Sequence, residues 1–343
     1  MSMMIPRVLL PTAKAGLSAL AGLMASAFVA IGLPASEARA QGANPLEAVV
    51  GIEATIPPEA RTADSLGTRR AGAGVVIRED GLVLTIGYLI LEAISTELTL
   101  NDGRTVPAEV VGYDHETGFG VLRALAPLGI EPIGLGESAA LGEDDRVLVA
   151  GFGGSDAVIG AEVVSRRDFA GYWEYLLPDA IFTAPPFPSF GGAALIGRDG
   201  RLLGIGSLIV ADAAEPDTPT PGNMFVPIDA LKPILGSLVR TGRREDPARP
   251  WLGMQFEALR GRIFVKRVSS GSPADKAGIR ADDVVVAVAG EPVGTLIDLY
   301  RKVWSLGPAG VEVPLTVLTD GGTAEVTVTS GDRYDYLKLR SSY

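Results

Sequence analysis

The sequence predicts a mostly β protein in which two similar β lobes precede a smaller α+β unit. Short apolar runs separated by turn residues fill residues 45–228, and 43 glycines and 24 prolines supply the turns. Two hairpins share one pattern of apolar run, charged Asp-Gly turn, apolar run and glycine: "VVIREDGLVLTIG" at 75–87 and "ALIGRDGRLLGIG" at 194–206. This repetition favours a duplicated barrel.

The remaining elements follow in chain order. Asn101-Asp102-Gly103 predicts a hairpin turn, because these residues tolerate positive φ. "PIDALKPILGSLVRTG", residues 227–242, predicts a closing helix that stops at Gly242. The charged, proline-bearing segment "RREDPARP" at 243–250 is interpreted as a linker.

From Trp251 onward the pattern changes to strand, strand, short helix, strand, helix and hairpin. About eighty residues in this order suit a small independent module. The tail, residues 332–343, has no clear pattern. "AGYWEYLLPDA" at 170–180 concentrates three aromatics, which we interpret as strand packing or as a surface for a partner.

Composition excludes several classes of function. A formal net charge of −11 argues against nucleic acid as a partner, because phosphate binding needs a cationic face. The chain has no cysteine, which excludes disulfides and thiolate chemistry. Its single histidine, His115, excludes a multi-histidine metal site. We expect no cofactor and no metal.

The first forty residues predict an export signal. Arg7 and Lys14 precede an apolar run, "AGLSALAGLMASAFVAIGLP", which ends in Ala38-Arg39-Ala40, a small-x-small cleavage pattern. An uncleaved membrane anchor is the alternative, because the run approaches a spanning length. No later segment is long and apolar enough to span a bilayer. We therefore expect a periplasmic or secreted protein, cleaved after Ala40, with no stable membrane span.

Three segments together resemble the HtrA (Deg) family, a trypsin-like double β-barrel followed by a PDZ domain. They are "GAGVVIREDGLVLTIGYLI", "LNDGRTVPAEVVGYDHETGFGVLRA" and "SPADKAGIRADDVVVAVAGEPV", and they occur in the family's order. The resemblance implies the following organisation: a signal peptide at 1–40, the trypsin-like domain at 41–242, a linker at 243–250, the PDZ domain at 251–331 and a tail at 332–343.

The family's mechanism needs a serine nucleophile, a histidine base and an aspartate that orients the histidine. In this sequence the matching positions hold Tyr88, Gly118 and Gly191, or Phe190 in place of Gly191 under a different count. The resemblance therefore predicts a catalytically degenerate member, a pseudoprotease. A divergent serine endopeptidase using Ser189 is the alternative, whereas His115 is interpreted as a surface turn residue.

"WLGMQ" matches the PDZ loop whose backbone amides hold a terminal carboxylate, and the helix "TLIDLYRKVWSL" matches the wall of the peptide groove. The expected partners are peptides or protein C-termini, and the resemblance also suggests a homo-oligomer. The alternative is that these residues only pack the core of the module. The predicted peptide-binding residues are Trp251, Leu252, Gly253, Met254, Leu296, Leu299, Tyr300 and Val303.

Overall fold

The computed structural model describes residues 44–337 of the chain. The predicted signal peptide and residues 338–343 lie outside the described residues. The first six strands close into a barrel in the order β1-β2-β3-β6-β5-β4, with antiparallel neighbours. They are β1 Val49–Thr55, β2 Arg69–Val76, β3 Leu82–Ile86, β4 Ser95–Thr99, β5 Thr105–Tyr113 and β6 Phe119–Ala124, with a short helix α1 at Ala63–Leu66.

The next six strands close into a second barrel in the order β10-β11-β12-β9-β8-β7. The two hairpins that share a sequence pattern form β2–β3 in the first barrel and β10–β11 in the second. The mostly β, double-barrel fold is thus confirmed. The strands are β7 Arg146–Ala150, β8 Val158–Gly171, β9 Tyr175–Ala184, β10 Ala194–Ile196, β11 Leu202–Val210 and β12 Gly222–Pro227.

The closing helix is shorter than the sequence predicts. Helix α2 spans only Leu235–Thr241, after a 3-10 turn at Ile228–Ala230. Pro233 lacks a backbone N–H and the helix begins after it. Gly242 ends the helix as predicted, with φ +77° and its N–H donating to the Leu238 carbonyl at 3.0 Å.

The C-terminal module is a sheet of order β13-β14-β15-β17-β18, with β16 paired to β15. Helix α4 begins at a Thr295 cap, whose hydroxyl accepts from the Asp298 amide at 3.1 Å. Leu299, Tyr300 and Val303 of α4 are buried against the sheet. The elements are β13 Met254–Leu259, β14 Arg262–Val268, α3 Pro273–Lys276, β15 Val284–Val288, β16 Glu291–Pro292, α4 Leu296–Ser305, β17 Glu312–Thr319 and β18 Gly322–Thr329.

The C-terminal tail, which showed no pattern in the sequence, contains helix α5 at Arg333–Leu337. Its Tyr336 ring packs 4.4 Å from the Trp251 ring, between ring centroids. A single turn and a half of helix is too short for hydrophobic periodicity to reveal. The tail therefore returns to the start of the PDZ-like module and contributes to its packing.

Candidate functional site

The segment that carries Tyr88 is fixed by close packing at Gly87 and by hydrogen bonds from Arg70. It forms a 3-10 turn at Gly87–Leu89, directly after β3. A Cβ atom at Gly87 would lie 1.8 Å from the Tyr113 ring, so only glycine fits there. The buried Arg70 guanidinium donates to the Tyr88 carbonyl at 2.7 Å and to the Leu91 carbonyl at 3.0 Å. Residue 88 is thus held in one place.

The Tyr88 side chain reaches into the second barrel. Its hydroxyl donates to the Ser207 carbonyl at 2.9 Å. Burial raises the pKa of Tyr88 well above its ordinary value. At neutral pH the side chain is therefore an uncharged hydrogen-bond donor, not a proton acceptor.

Gly191 is the residue of the second barrel that faces Tyr88. A Cβ atom at Gly191 would lie 3.1 Å from the Tyr88 hydroxyl oxygen. The Gly191 carbonyl accepts from the Ala73 amide at 2.8 Å, which ties this loop to the first barrel. Gly192 has φ +77°, and a Cβ there would lie 1.9 Å from the Ala73 carbonyl oxygen. The backbone here is accordingly specified by glycine, and Ser189 is exposed two residues earlier.

Gly118 lies beside the same turn, because its carbonyl accepts from the Gly87 amide at 2.7 Å. Its φ is +85°, a left-handed conformation that strains any residue with a side chain. A Cβ at Gly118 would be 3.5 Å from the Tyr175 hydroxyl, which donates to the Thr117 carbonyl at 2.7 Å. The structure therefore brings Tyr88, Gly118 and Gly191 together where the two barrels touch, and this contact region is called the cleft between the barrels here.

His115 is not the surface turn residue that the sequence suggests, and this expectation is wrong. Its ring packs edge-on against Tyr113 at 4.4 Å and against Tyr334 of α5 at 4.2 Å, between ring centroids. Both ring nitrogens are buried and have no hydrogen-bond partner among the described residues. Burial lowers the pKa of His115 well below its ordinary value, with the nearby charge of Arg333 as a second cause. The ring is neutral, and it lines a cavity of about 50 Å³.

The segment 243–250 is interpreted from the sequence as a linker, and in the structure it carries buried ion pairs. Arg244 contacts both carboxylate oxygens of the fully buried Asp114, at 3.0 and 3.1 Å. It also donates to Glu116 at 2.9 Å, and Arg249 contacts the same carboxylate at 2.8 Å. The Arg249 guanidinium lies 4.4 Å from the centre of the Trp304 ring on α4. These contacts attach the first barrel to the C-terminal module.

The loop at Trp251–Met254 presents successive backbone amides to one carboxylate. The Leu252 amide donates to one oxygen of Glu174 at 2.8 Å. The amides of Gly253 and Met254 donate to the other oxygen, at 2.6 and 2.8 Å. Gly253 has φ +88°, and a Cβ there would lie 2.2 Å from the Ser272 Cβ. Only glycine lets this loop turn its amides inward.

The predicted peptide-binding residues gather around this loop. Trp251, Leu252 and Met254 are buried, as are Leu299, Tyr300 and Val303 of α4, whereas Leu296 is partly buried. Strand β13 follows the loop and forms the edge of the sheet. The structure thus combines an amide loop, an edge strand and a helix wall in the form of a peptide groove.

Glu174, whose carboxylate binds this loop, is the site residue that sequence reasoning missed. It lies in the second barrel, in the turn between β8 and β9, and its side chain is almost fully buried. Burial raises the pKa of Glu174, and the three amide hydrogen bonds oppose that rise. The one signal in the sequence that pointed to this region was the aromatic segment 170–180, which contains Glu174, but the sequence did not show what the segment contacts.

Among residues 44–337, no cluster of histidine, aspartate and glutamate side chains could hold a metal ion. Within the same range, no helix is both long enough and apolar enough to cross a bilayer.

Comparison with known proteins agrees with both parts of the fold. A trypsin-like peptidase domain model matches residues 72–205, and a PDZ domain model matches residues 250–329. The chain is 28% identical over 295 residues to a probable periplasmic serine endoprotease DegP-like of Rhizobium meliloti, covering 80% of this chain and 53% of that protein. It is 30% identical over 285 residues to serine protease PepD of Mycobacterium tuberculosis, covering 76% of this chain and 60% of that protein.

The chain therefore spans only about half to three fifths of the length of these curated relatives. Among solved structures, the HtrA-type protease AlgW with decapeptide superposes with a TM-score of 0.52 at 23% identity, covering 85% of this chain and 96% of that one. By its sequence, its double barrel and its C-terminal module, the chain is a member of the HtrA/DegP-like family, with a trypsin-like peptidase domain followed by a PDZ domain.

Proposed function

We propose that this chain is an exported HtrA-like pseudoprotease that binds peptides or protein C-termini through its PDZ domain. The observation that carries the proposal is the pairing in the cleft between the barrels. Gly191, which faces Tyr88, bears no side chain, and the Tyr88 hydroxyl already donates to the Ser207 carbonyl.

Serine-protease chemistry requires a nucleophile and a base that accepts its proton. Glycine at 191 offers no nucleophile. Tyr88 is a poor base because burial raises its pKa and keeps the hydroxyl protonated. Loss of the nucleophile or of the histidine costs about a millionfold in turnover in a well-studied serine protease. We therefore expect ordinary proteolysis by this route to be absent.

Peptide binding is supported by the groove of the C-terminal module. The amides of Leu252, Gly253 and Met254 converge on a single carboxylate, which is the group at the end of every polypeptide. Strand β13 forms the edge of the sheet, the position at which an extended peptide can add as a further strand. The ligand class is accordingly a free C-terminus, held by its carboxylate and by main-chain hydrogen bonds.

Export is supported by the predicted signal sequence that ends at Ala40 and by the names of relatives described as periplasmic. The compartment of this chain is therefore proposed to be the periplasm or the extracellular space.

The catalytic half of the proposal is tested by labelling. Purified mature chain is incubated with a fluorophosphonate probe and, separately, with unfolded casein, beside an active HtrA-type protease as positive control. We expect neither labelling nor cleavage. Labelling that disappears in Ser189→Ala would instead establish the divergent serine endopeptidase. Casein cleavage that the probe blocks would overturn the pseudoprotease.

A further inference from the structure

The tip of the β8–β9 hairpin, residues 171–174, lies in the PDZ groove and is called the hairpin tip here. It belongs to the second barrel, yet its Glu174 carboxylate accepts hydrogen bonds from the amides of Leu252, Gly253 and Met254, at 2.6 to 2.8 Å. The loop at Trp251–Met254 is called the carboxylate loop here. The side chain of Glu174 therefore fills the place where the carboxylate of a peptide C-terminus would bind.

The backbone of the hairpin tip also follows the edge strand. The Phe256 amide of β13 donates to the Tyr172 carbonyl at 2.8 Å. The Met254 amide contacts the Glu174 carboxylate, and the Phe256 amide, two residues later on β13, contacts the Tyr172 carbonyl, two residues earlier on the tip. The two segments therefore run in opposite directions. An added antiparallel strand runs in this direction. The hairpin tip thus imitates the last residues of a bound peptide through its carboxylate and through one main-chain hydrogen bond.

The helix wall holds the hairpin tip from the other side. The Tyr300 hydroxyl of α4 donates to the Gly171 carbonyl at 2.7 Å and accepts from the Glu174 amide at 3.3 Å. Arg333 of α5 donates to the Trp173 carbonyl at 3.4 Å, and its charge favours the ionised Glu174. The Tyr172 side chain itself remains 55% exposed.

The turn at the hairpin tip contains backbone strain at Glu174. Residues 172–174 form a three-residue hairpin loop in which Glu174 has φ +57°. Glycine is the usual residue at the left-handed position of such a loop, because a Cβ atom strains that conformation. A glutamate at this position relieves no turn strain, whereas its carboxylate satisfies three amides that are otherwise without an acceptor.

We propose that Glu174 is an internal ligand of the PDZ domain, so that the hairpin tip closes the peptide groove and a free peptide C-terminus binds by displacing it. The inference rests on the proposed peptide-binding function and adds its regulation. Binding is then weakened by the fraction of molecules whose groove is closed. A peptide that displaces the tip also releases the junction between the second barrel and the PDZ domain.

The test compares four full-length mature proteins: the natural chain, Glu174→Gly, Glu174→Gln and the control Glu79→Gln, which lies in the exposed turn between β2 and β3. Glycine suits the left-handed position, so Glu174→Gly removes the carboxylate without straining the turn. The probe is a fluorescein-labelled pool of random short peptides with free C-termini, and an amidated pool is its control. Fluorescence anisotropy measures binding, and hydrogen exchange without peptide measures protection of the amides at 252–256.

We expect Glu174→Gly and Glu174→Gln to bind the free-carboxyl pool at least about tenfold more tightly than the natural chain and Glu79→Gln. We expect no binding of the amidated pool and faster exchange at 252–254 in Glu174→Gly. Equal affinity of all four proteins would overturn the internal ligand and leave peptide binding intact. If no protein binds the pool but exchange at 252–254 still quickens in Glu174→Gly, the internal ligand stands and the peptide-binding function fails. Unchanged exchange would overturn the internal ligand.

Discussion

The cleft between the barrels and the groove of the PDZ domain are both filled by the protein's own side chains, but the fillings differ in kind. In the cleft, the neutral Tyr88 hydroxyl donates to the Ser207 carbonyl beside Gly191. In the groove, the Glu174 carboxylate binds three amides. A carboxylate is also the group at the end of a peptide, so on our proposal the groove contact can be exchanged for a ligand, whereas Tyr88 and Gly191 offer no nucleophile.

The largest effect is expected at the ion pair between Arg244 of the segment 243–250 and Asp114 of the first barrel. Arg244→Ala leaves the fully buried Asp114 without its cation, and we expect a loss of about 3–5 kcal/mol in the free energy of unfolding. Urea unfolding measures it. The control is Arg243→Ala, because Arg243 is half exposed and its pair with Asp332 should contribute at most about 1 kcal/mol. Equal losses in the two variants would show that the Asp114 pair is not special.

A second effect concerns the pH dependence of stability and His115, the residue that follows Asp114 in the chain. The pKa of His115 is lowered in the folded protein, so the unfolded chain binds the proton first as pH falls below about 6.5. Stability contributed by the neutral ring is present above that pH and is lost below it, by up to about 1.4 kcal/mol per pH unit.

Urea unfolding of the natural chain and of His115→Phe between pH 7 and pH 5 checks this. Glu116 and Glu174, whose pKa values are raised by burial, contribute in both proteins and cancel in the difference. Parallel pH profiles would contradict a buried neutral histidine.

A smaller effect is expected in the cleft. Tyr88→Phe removes the hydrogen bond to the Ser207 carbonyl, and we expect a loss of about 1 kcal/mol in the free energy of unfolding. Tyr172→Phe is the matched control, because Tyr172 is 55% exposed and should change stability little. Peptide binding should be the same in Tyr88→Phe and the natural chain. A change in peptide affinity would show that cleft and groove are coupled.

The smallest effect is expected from returning a hydroxyl to the cleft. Gly191→Ser places a Cβ 3.1 Å from the Tyr88 oxygen, a tight contact that a shift of the tyrosine side chain by a few tenths of an ångström relieves. No fluorophosphonate labelling should appear, because Tyr88 stays protonated and cannot accept the serine proton. Labelling of Gly191→Ser but not of the natural chain would mean that a base reaches the cleft.

The local elements of the fold were predictable because their signals are local. The hairpin patterns at 75–87 and 194–206 became β2–β3 and β10–β11, since alternation and Asp-Gly turns act over a few residues. The helix at 227–242 was predicted too long because Pro233 was not weighed as a start signal. Helix α5 was missed because five residues carry no readable period.

The candidate sites were predictable only in part. The resemblance located Tyr88, Gly118 and Gly191, and the structure brings these three positions to one cleft. It also located the carboxylate loop at 251–254. The occupant of that loop was not predictable, because Glu174 reaches it across a separation of 78 to 80 residues along the chain.

The sequence by itself determined the mostly β fold, the order of the two domains and the residue types at the positions that the resemblance matches to the catalytic ones, because each depends on local pattern or identity. Only the tertiary structure decided which distant groups meet. It placed His115 between Tyr113 and Tyr334, Arg244 on Asp114 and Glu174 on the PDZ amides. Burial and pairing of polar groups depend on packing between elements that lie far apart in the chain, and no short-range periodicity records them.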